Sequence, residues 1–148
     1  GDGAIKTINY FIKLNKEFKV IKFKSGEKVF DWVIPDEWNI KDAYIQHASG
    51  KKFAQFKKSN LHVVGYSTPI DKVLSKNELL KNVYTLKKQP GHTPYVTSYY
   101  NKSWGFCMSE NEKKKLPHGK YRAFINSSLK KGKLSIIHSK FKDLFKIG

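Results

Sequence analysis

Short apolar runs broken by turn signals constrain this chain most. The longest, around residues 29–35, is only a few residues. Clusters that favour chain reversal recur at Lys24-Ser25-Gly26-Glu27, Ser49-Gly50, residues 57–60, Asn101-Lys102-Ser103 and Lys130-Lys131-Gly132. Such punctuation leaves room for short strands and for few long helices. No run approaches the roughly 20 apolar residues that a membrane-crossing helix needs. No cationic start with an apolar stretch and a small-residue cleavage site marks a secretory leader. The predicted class is α+β, mainly β: an antiparallel sheet or meander with one N-terminal amphipathic helix and short capped helices.

Local patterns place the elements. Ala4, Ile5, Ile8, Phe11 and Ile12 form one stripe at helical spacing, with Asp2 placed to cap the start and Glu17 beyond the end. Residues 18–23 and 28–34 read as a β-hairpin, with Phe30, Trp32 and Ile34 on one face and Trp32 largely buried. Pro35 has no N–H for a ladder, so residues 35–38 read as a turn whose Trp38 folds back onto the core. Strands at 42–46, 52–56 and 61–66 would make a meander. Ser75 with Glu78, and Ser109 with Glu112, have the spacing of capping boxes that open short helices. Between them, residues 95–100 and 104–108 read as an aromatic hairpin, and strands at 121–126 and 134–138 close the series. A chain of 148 residues can bury roughly 70% of its unfolded surface, and composition alone gives no reason to divide it.

Catalytic and metal motifs are incomplete. His47, His62, His92, His118 and His138 are scattered, with no Cys pair and no two histidines at i, i+4 spacing. Neither a G-x-S-x-G elbow nor a phosphate-binding glycine loop occurs. Cys107, the single cysteine, lies in an apolar strand beside Phe106 and reads as a buried, inert thiol. It can form no disulfide within the chain, which fits a reducing compartment and a cytoplasmic location. Asp31, Asp36 and Glu37 read as turn residues that cap backbone N–H groups.

A net charge of +17 invites a polyanion as partner. Against nucleic acid stands the presence of one arginine only, Arg122, because arginine is the residue that forks onto phosphate or guanine. The lysines spread along the whole length as a solvated surface does.

The aromatic run has a different meaning. Tyr95, Thr97 and Tyr99 alternate with Val96, Ser98 and Tyr100, so one face turns to the core and the other offers hydroxyls to a groove or another domain. A tyrosine in a fully apolar site leaves its hydroxyl unpaired at a cost of roughly 1–3 kcal/mol. At least one of Tyr95, Tyr99 and Tyr100 is therefore expected to rim a groove. His62 and the Gly91-His92-Thr93 loop are weaker candidates for the same rim.

A resemblance carries the reading further. Gly1-Asp2-Gly3, Ser25-Gly26, the run Val29-Phe30-Asp31-Trp32-Val33-Ile34-Pro35-Asp36-Glu37-Trp38-Asn39-Ile40, Ser59-Asn60-Leu61-His62-Val63, Tyr66-Ser67, residues 94–100 and Trp104-Gly105-Phe106-Cys107 occur in this order. The series resembles a bacterial family of aminopeptidase-like proteins, often named for polysaccharide biosynthesis, in which a zinc-exopeptidase-type domain carries an inserted β-rich domain of unknown function.

The resemblance implies residues 1–29 as a helix and strand of the aminopeptidase-like domain, 30–128 as the insert, and 129–148 as a return strand toward a C-terminal catalytic half. That half is the expected partner, with no membrane, and an oligomer stays open. The family's metal ligands lie in a downstream Cys-His-Pro-Ser segment and an Ala-Asn-Asp or similar segment, neither of which occurs here. The expectation is therefore a non-catalytic region with no catalytic or metal residue, inactive alone, zinc belonging only to the complete hydrolase. The alternative is a free-standing basic β-rich module for an acidic polymer, nucleic acid or anionic glycan.

Overall fold

The structure is a computed structural model that describes residues 2–99 and 101–138. Strand outweighs helix, 39% to 19%, which makes the fold α+β and mainly β. Tyr100 and the side chain of Asp2, expected as a rim residue and a helix cap, lie outside the described residues, as does the expected return strand beyond His138. The chain forms two units: Trp38–Leu129, and the residues before and after it.

The flanking unit holds α1 (Asp2–Leu14), β1 (Lys19–Lys24), β2 (Lys28–Val29), β3 (Trp32–Val33) and β10 (Lys133–His138). The stripe on α1 behaves as its spacing predicts only in part. Ile8 and Ile12 are partly buried, while Ile5, Phe11 and Leu14 remain exposed. β1 pairs antiparallel with β10 from Lys19 opposite His138 to Lys24 opposite Lys133. The hairpin expected between 18–23 and 28–34 is therefore not formed. Instead residues 28–34 fold on themselves, Val29 opposite Trp32, because the chain reverses at Phe30 with φ +56°. Phe30 is thrown outward, 93% exposed, and Trp32 is only partly buried; Ile34 alone of the expected face is in the interior. The turn at 24–27 is tied down by Glu27, whose carboxylate accepts the Lys24 N–H at 2.9 Å.

The unit Trp38–Leu129 is built on a four-stranded sheet in the order β5-β4-β9-β6. Its long strands are β4 (Glu37–His47) and β9 (Lys120–Lys130), flanked by β5 (Lys52–Phe53) and β6 (Ile70–Ser75). β9 shows why it is a strand: Tyr121, Ala123 and Ile125 are buried, whereas Lys120, Arg122 and Asn126 are exposed. Ala43 and Ile45 supply the matching face of β4. The core continues through Leu79, Val83, Phe106, Met108 and Leu116. On the opposite face Tyr44 stacks on Phe124 at 4.9 Å, and Arg122 forks onto Asp71 with two 2.7 Å hydrogen bonds.

Four differences from the sequence reading have local causes. Residues 35–38 are not a turn, since β4 begins at Glu37. The strand expected at 52–56 stops after Phe53, where Ala54 takes a left-handed φ of +43°. Residues 61–66 hold a 3₁₀ turn, η1 (Asn60–His62), and single bridges, because Tyr66 also has a left-handed φ, +66°. β6 takes a sheet edge that the sequence reading left empty, pairing antiparallel with β9. Both capping boxes form: Ser75 and Glu78 start α2 (Lys76–Leu80), and Ser109 and Glu112 start α3 (Glu110–Lys114).

Candidate functional site

The aromatic run does not make the expected hairpin. Its two halves bond separately to the loop 63–68. From one side, the Gly65 N–H donates to the Val96 carbonyl at 2.8 Å and the Ser98 N–H to the Gly65 carbonyl at 2.9 Å. From the other, the Val64 N–H donates to Gly105 at 3.0 Å and the Thr68 N–H to Ser103 at 2.9 Å. β8 (Phe106–Cys107) then pairs in parallel with β7 (Val83–Tyr84). Two glycines permit this wedging. A Cβ on Gly65 would lie 3.3 Å from Thr97 Oγ1, and one on Gly105 would lie 2.8 Å from the Tyr84 ring and 2.9 Å from Val64.

Ser67 fixes the loop from inside. It is fully buried, its hydroxyl donates to the Val64 carbonyl at 2.6 Å, and its oxygen accepts the Gly105 N–H at 3.2 Å. Its carbonyl accepts the Trp38 indole N–H at 2.9 Å and the Ser127 hydroxyl at 2.7 Å. These bonds hold Tyr66 in its left-handed conformation, which costs a bulky residue about 1–2 kcal/mol. The return is geometric. The Tyr66 ring lies between Trp38, at 5.9 Å and 20°, and Tyr99, at 4.3 Å and 29°. Burial and a hydrogen bond with the Tyr99 hydroxyl push the Tyr66 phenol well above its usual pKa. It stays neutral at any ordinary pH.

The predicted candidates divide around this stack. Tyr95 is 76% exposed and Tyr99 38%, with Thr97 exposed between them, while Val96 and Ser98 are partly covered. Tyr95 also acts electrostatically on Tyr66. The His62 Nδ1–H donates to the Cys107 carbonyl at 3.1 Å. It lies near Glu112, whose carboxyl burial would raise but which the Ser109 N–H and hydroxyl, with His62, hold below its usual value. His92 is exposed in a turn whose N–H donates to Gln89. Sequence reasoning did not select Trp38 and Tyr66 for the site. The only local sign was Gly65 before Tyr66, and the contact joins residues 28 positions apart.

The remaining chemistry-bearing groups have structural partners. His47 bonds the Ser49 hydroxyl and the His118 carbonyl, both at 2.9 Å. Cys107 is buried, and burial pushes its thiol up to about 11, so it is a poor nucleophile at neutral pH. Among the described residues no three His, Cys, Asp or Glu side chains come together in a way that could hold a metal. Nor, among the described residues, is any helix long and apolar enough to cross a membrane.

Comparison with known proteins assigns the fold to a group. A protein of Clostridium acetobutylicum, provisionally named as a polysaccharide biosynthesis protein with aminopeptidase-like domain, is 41% identical over 91% of the chain. A crystal structure of a Clostridium acetobutylicum protein, provisionally described as a peptidase, superposes with a TM-score of 0.84 over 91% of the chain, again at 41% identity. The chain spans about a third of these relatives, 31% and 32% of their lengths. The model of the family described as Domain of unknown function (DUF2172) matches residues 37–128, nearly the unit Trp38–Leu129 that carries the aromatic stack. The chain belongs to that family.

Proposed function

We propose that this chain is the non-catalytic N-terminal and inserted region of a zinc-aminopeptidase-like protein that serves surface polysaccharide biosynthesis, and that its aromatic loop forms part of the substrate cleft. One observation carries the reading: 41% identity, spread over 91% of the chain, to a relative about three times as long that is named for both properties. The side chains agree with a supporting role. His47 and His62 bond backbone carbonyls, and the thiol is buried. In the flanking unit a groove of about 400 Å³ between α1 and the β1–β10 pair is lined by Ile5, Ile8, Ile12 and Val20, an apolar surface suited to the rest of such a protein. The alternative of a polyanion-binding module gains nothing from the structure, since the one arginine is already forked onto Asp71.

The test is to purify the chain alone and the longest reading frame that contains it, and to measure zinc content and hydrolysis of aminoacyl p-nitroanilides. Zinc and turnover are expected in the longer protein only. Stoichiometric zinc that resists mild chelation in the chain alone, or a longer protein with neither property, refutes the reading.

A further inference from the structure

We propose that Tyr99, Tyr66 and Trp38, with Tyr95 beside them, form a platform that binds a neutral pyranose of an oligosaccharide. The ligand class rests on the polysaccharide reading above; the existence of the platform does not.

Core packing does not explain this stack. The hydrophobic core of the unit runs through Ile45, Leu79, Phe106, Tyr121 and Ile125 and includes none of the three stacked rings. Tyr66 holds its strained, left-handed backbone outside that core. What the strain achieves is an outward column of parallel rings that ends on an exposed phenol. Rigid rings suit recognition, because they present a large face with little side-chain freedom to lose on binding.

The chemistry of the surface selects the ligand. An aromatic face is electron-rich, and the C–H face of a pyranose carries partial positive charge, so the two pack face to face. Phenol hydroxyls then meet the sugar hydroxyls at the ring edge. Charge argues in the same direction. The segments 59–71 and 89–112, which supply Tyr66, Tyr95 and Tyr99 and lie between Lys58 and Lys72 and between Lys88 and Lys113, contain between those lysines one lysine and no arginine. Around the loop stand Thr68, Thr97, Ser98 and Ser127, neutral hydroxyls. A site for a phosphate polymer would show the reverse distribution, with cations gathered at the rings.

The experiment uses the 148-residue chain and three probes: maltotriose, cellotriose and tri-N-acetylchitotriose. Tryptophan emission and amide NMR shifts are followed to about 20 mM sugar, a range that reaches weak binding. We expect saturable binding of at least one trisaccharide and a loss of about tenfold or more in Tyr99→Ala, equivalent to one decade of affinity. Tyr99→Phe keeps the ring and should lose less. Lys102→Ala should bind within about twofold, and the dissociation constant should hardly change between low and high salt, unlike phosphate binding. Thermal melts verify that each variant is folded.

No saturable response to any of the three sugars overturns the proposal, as does full affinity in folded Tyr99→Ala. Sugar affinity that falls steeply with added salt overturns it too. Hydrolysis and zinc are not read in this experiment. Failure here leaves the aminopeptidase-like reading standing, and failure of that reading leaves the binding result intact.

Discussion

Ser67→Ala is the most exacting test of the loop that carries the stack. The substitution removes one oxygen and no carbon, so it leaves almost no void. Its cost is polar. The Gly105 N–H, buried with its residue, loses the acceptor it has at 3.2 Å, and an unsatisfied buried donor costs roughly 1–3 kcal/mol. The 2.6 Å bond from the Ser67 hydroxyl to Val64 also disappears; its net worth is about 1 kcal/mol. The Val64 carbonyl itself stays bonded through the Ser67 N–H at 3.1 Å, so no second orphan appears. The expected loss is about 2–4 kcal/mol.

Ser127→Ala supplies the internal comparison. It removes a 2.7 Å bond to the Ser67 carbonyl, which keeps the Trp38 indole as donor. A loss of about 0.5–1.5 kcal/mol is expected. Urea unfolding followed by tryptophan emission measures both. With a slope of about 1–3 kcal/mol per molar, Ser67→Ala should lower the midpoint by roughly 1–2 M. A change under about 1 kcal/mol at unaltered slope, or equal effects of the two variants, would refute the assignment of Ser67 as the internal anchor.

Phe30→Asn should leave the chain as stable or raise stability by up to about 1 kcal/mol, since asparagine tolerates left-handed backbone and almost no buried area is lost; a loss above about 1 kcal/mol in thermal melts would show that the ring packs. Trp32→Ala, at a partly buried side chain, should cost less than the 3–5 kcal/mol of a fully buried ring, and a full-sized loss would place Trp32 in a core. Cys107 should resist thiol reagents at pH 8 in the folded chain and react at once in urea; rapid labelling of native protein would contradict its burial. Stability should fall as pH rises above the ordinary phenol value of about 10, because the folded state holds the Tyr66 proton more tightly than the unfolded state, and Tyr66→Phe should reduce that slope. Cys107 adds a loss of the same sign starting near pH 9, its ordinary value, so an unchanged slope in Tyr66→Phe is the result that counts against the Tyr66 reading.

What was legible in the sequence was whatever is decided within a few residues. The two capping boxes need only a hydroxyl and a carboxylate three positions apart, and both formed. The alternation of β9 is a period-2 pattern, and the Tyr121, Ala123, Ile125 face went inside. In the aromatic run the same alternation left Tyr95 and Tyr99 facing outward. The failures share a cause. Phe30, Ala54 and Tyr66 adopt a backbone conformation that their own side chains oppose, so no local preference could announce the reversals they make. The parallel pair β7–β8 and the wedged loop 63–68 depend on partners far along the chain, as the Val83 to Phe106 and Gly65 to Thr97 pairings show.

The position of Tyr66 joins these two lessons. A strained residue persists only where its surroundings over-determine it, and here the bonds to Ser67 come from Val64, Gly105, Trp38 and Ser127, spread over 90 residues of chain. The unit matched by the family model must therefore be folded before the stack exists, and the stack cannot be transplanted as a short peptide. If a synthetic peptide of residues 59–71 with one of 89–112 reproduced the sugar response of the chain, the rings would be acting without the scaffold. In that case the strain at Tyr66 would have no part in the site, and sugar recognition would no longer account for it.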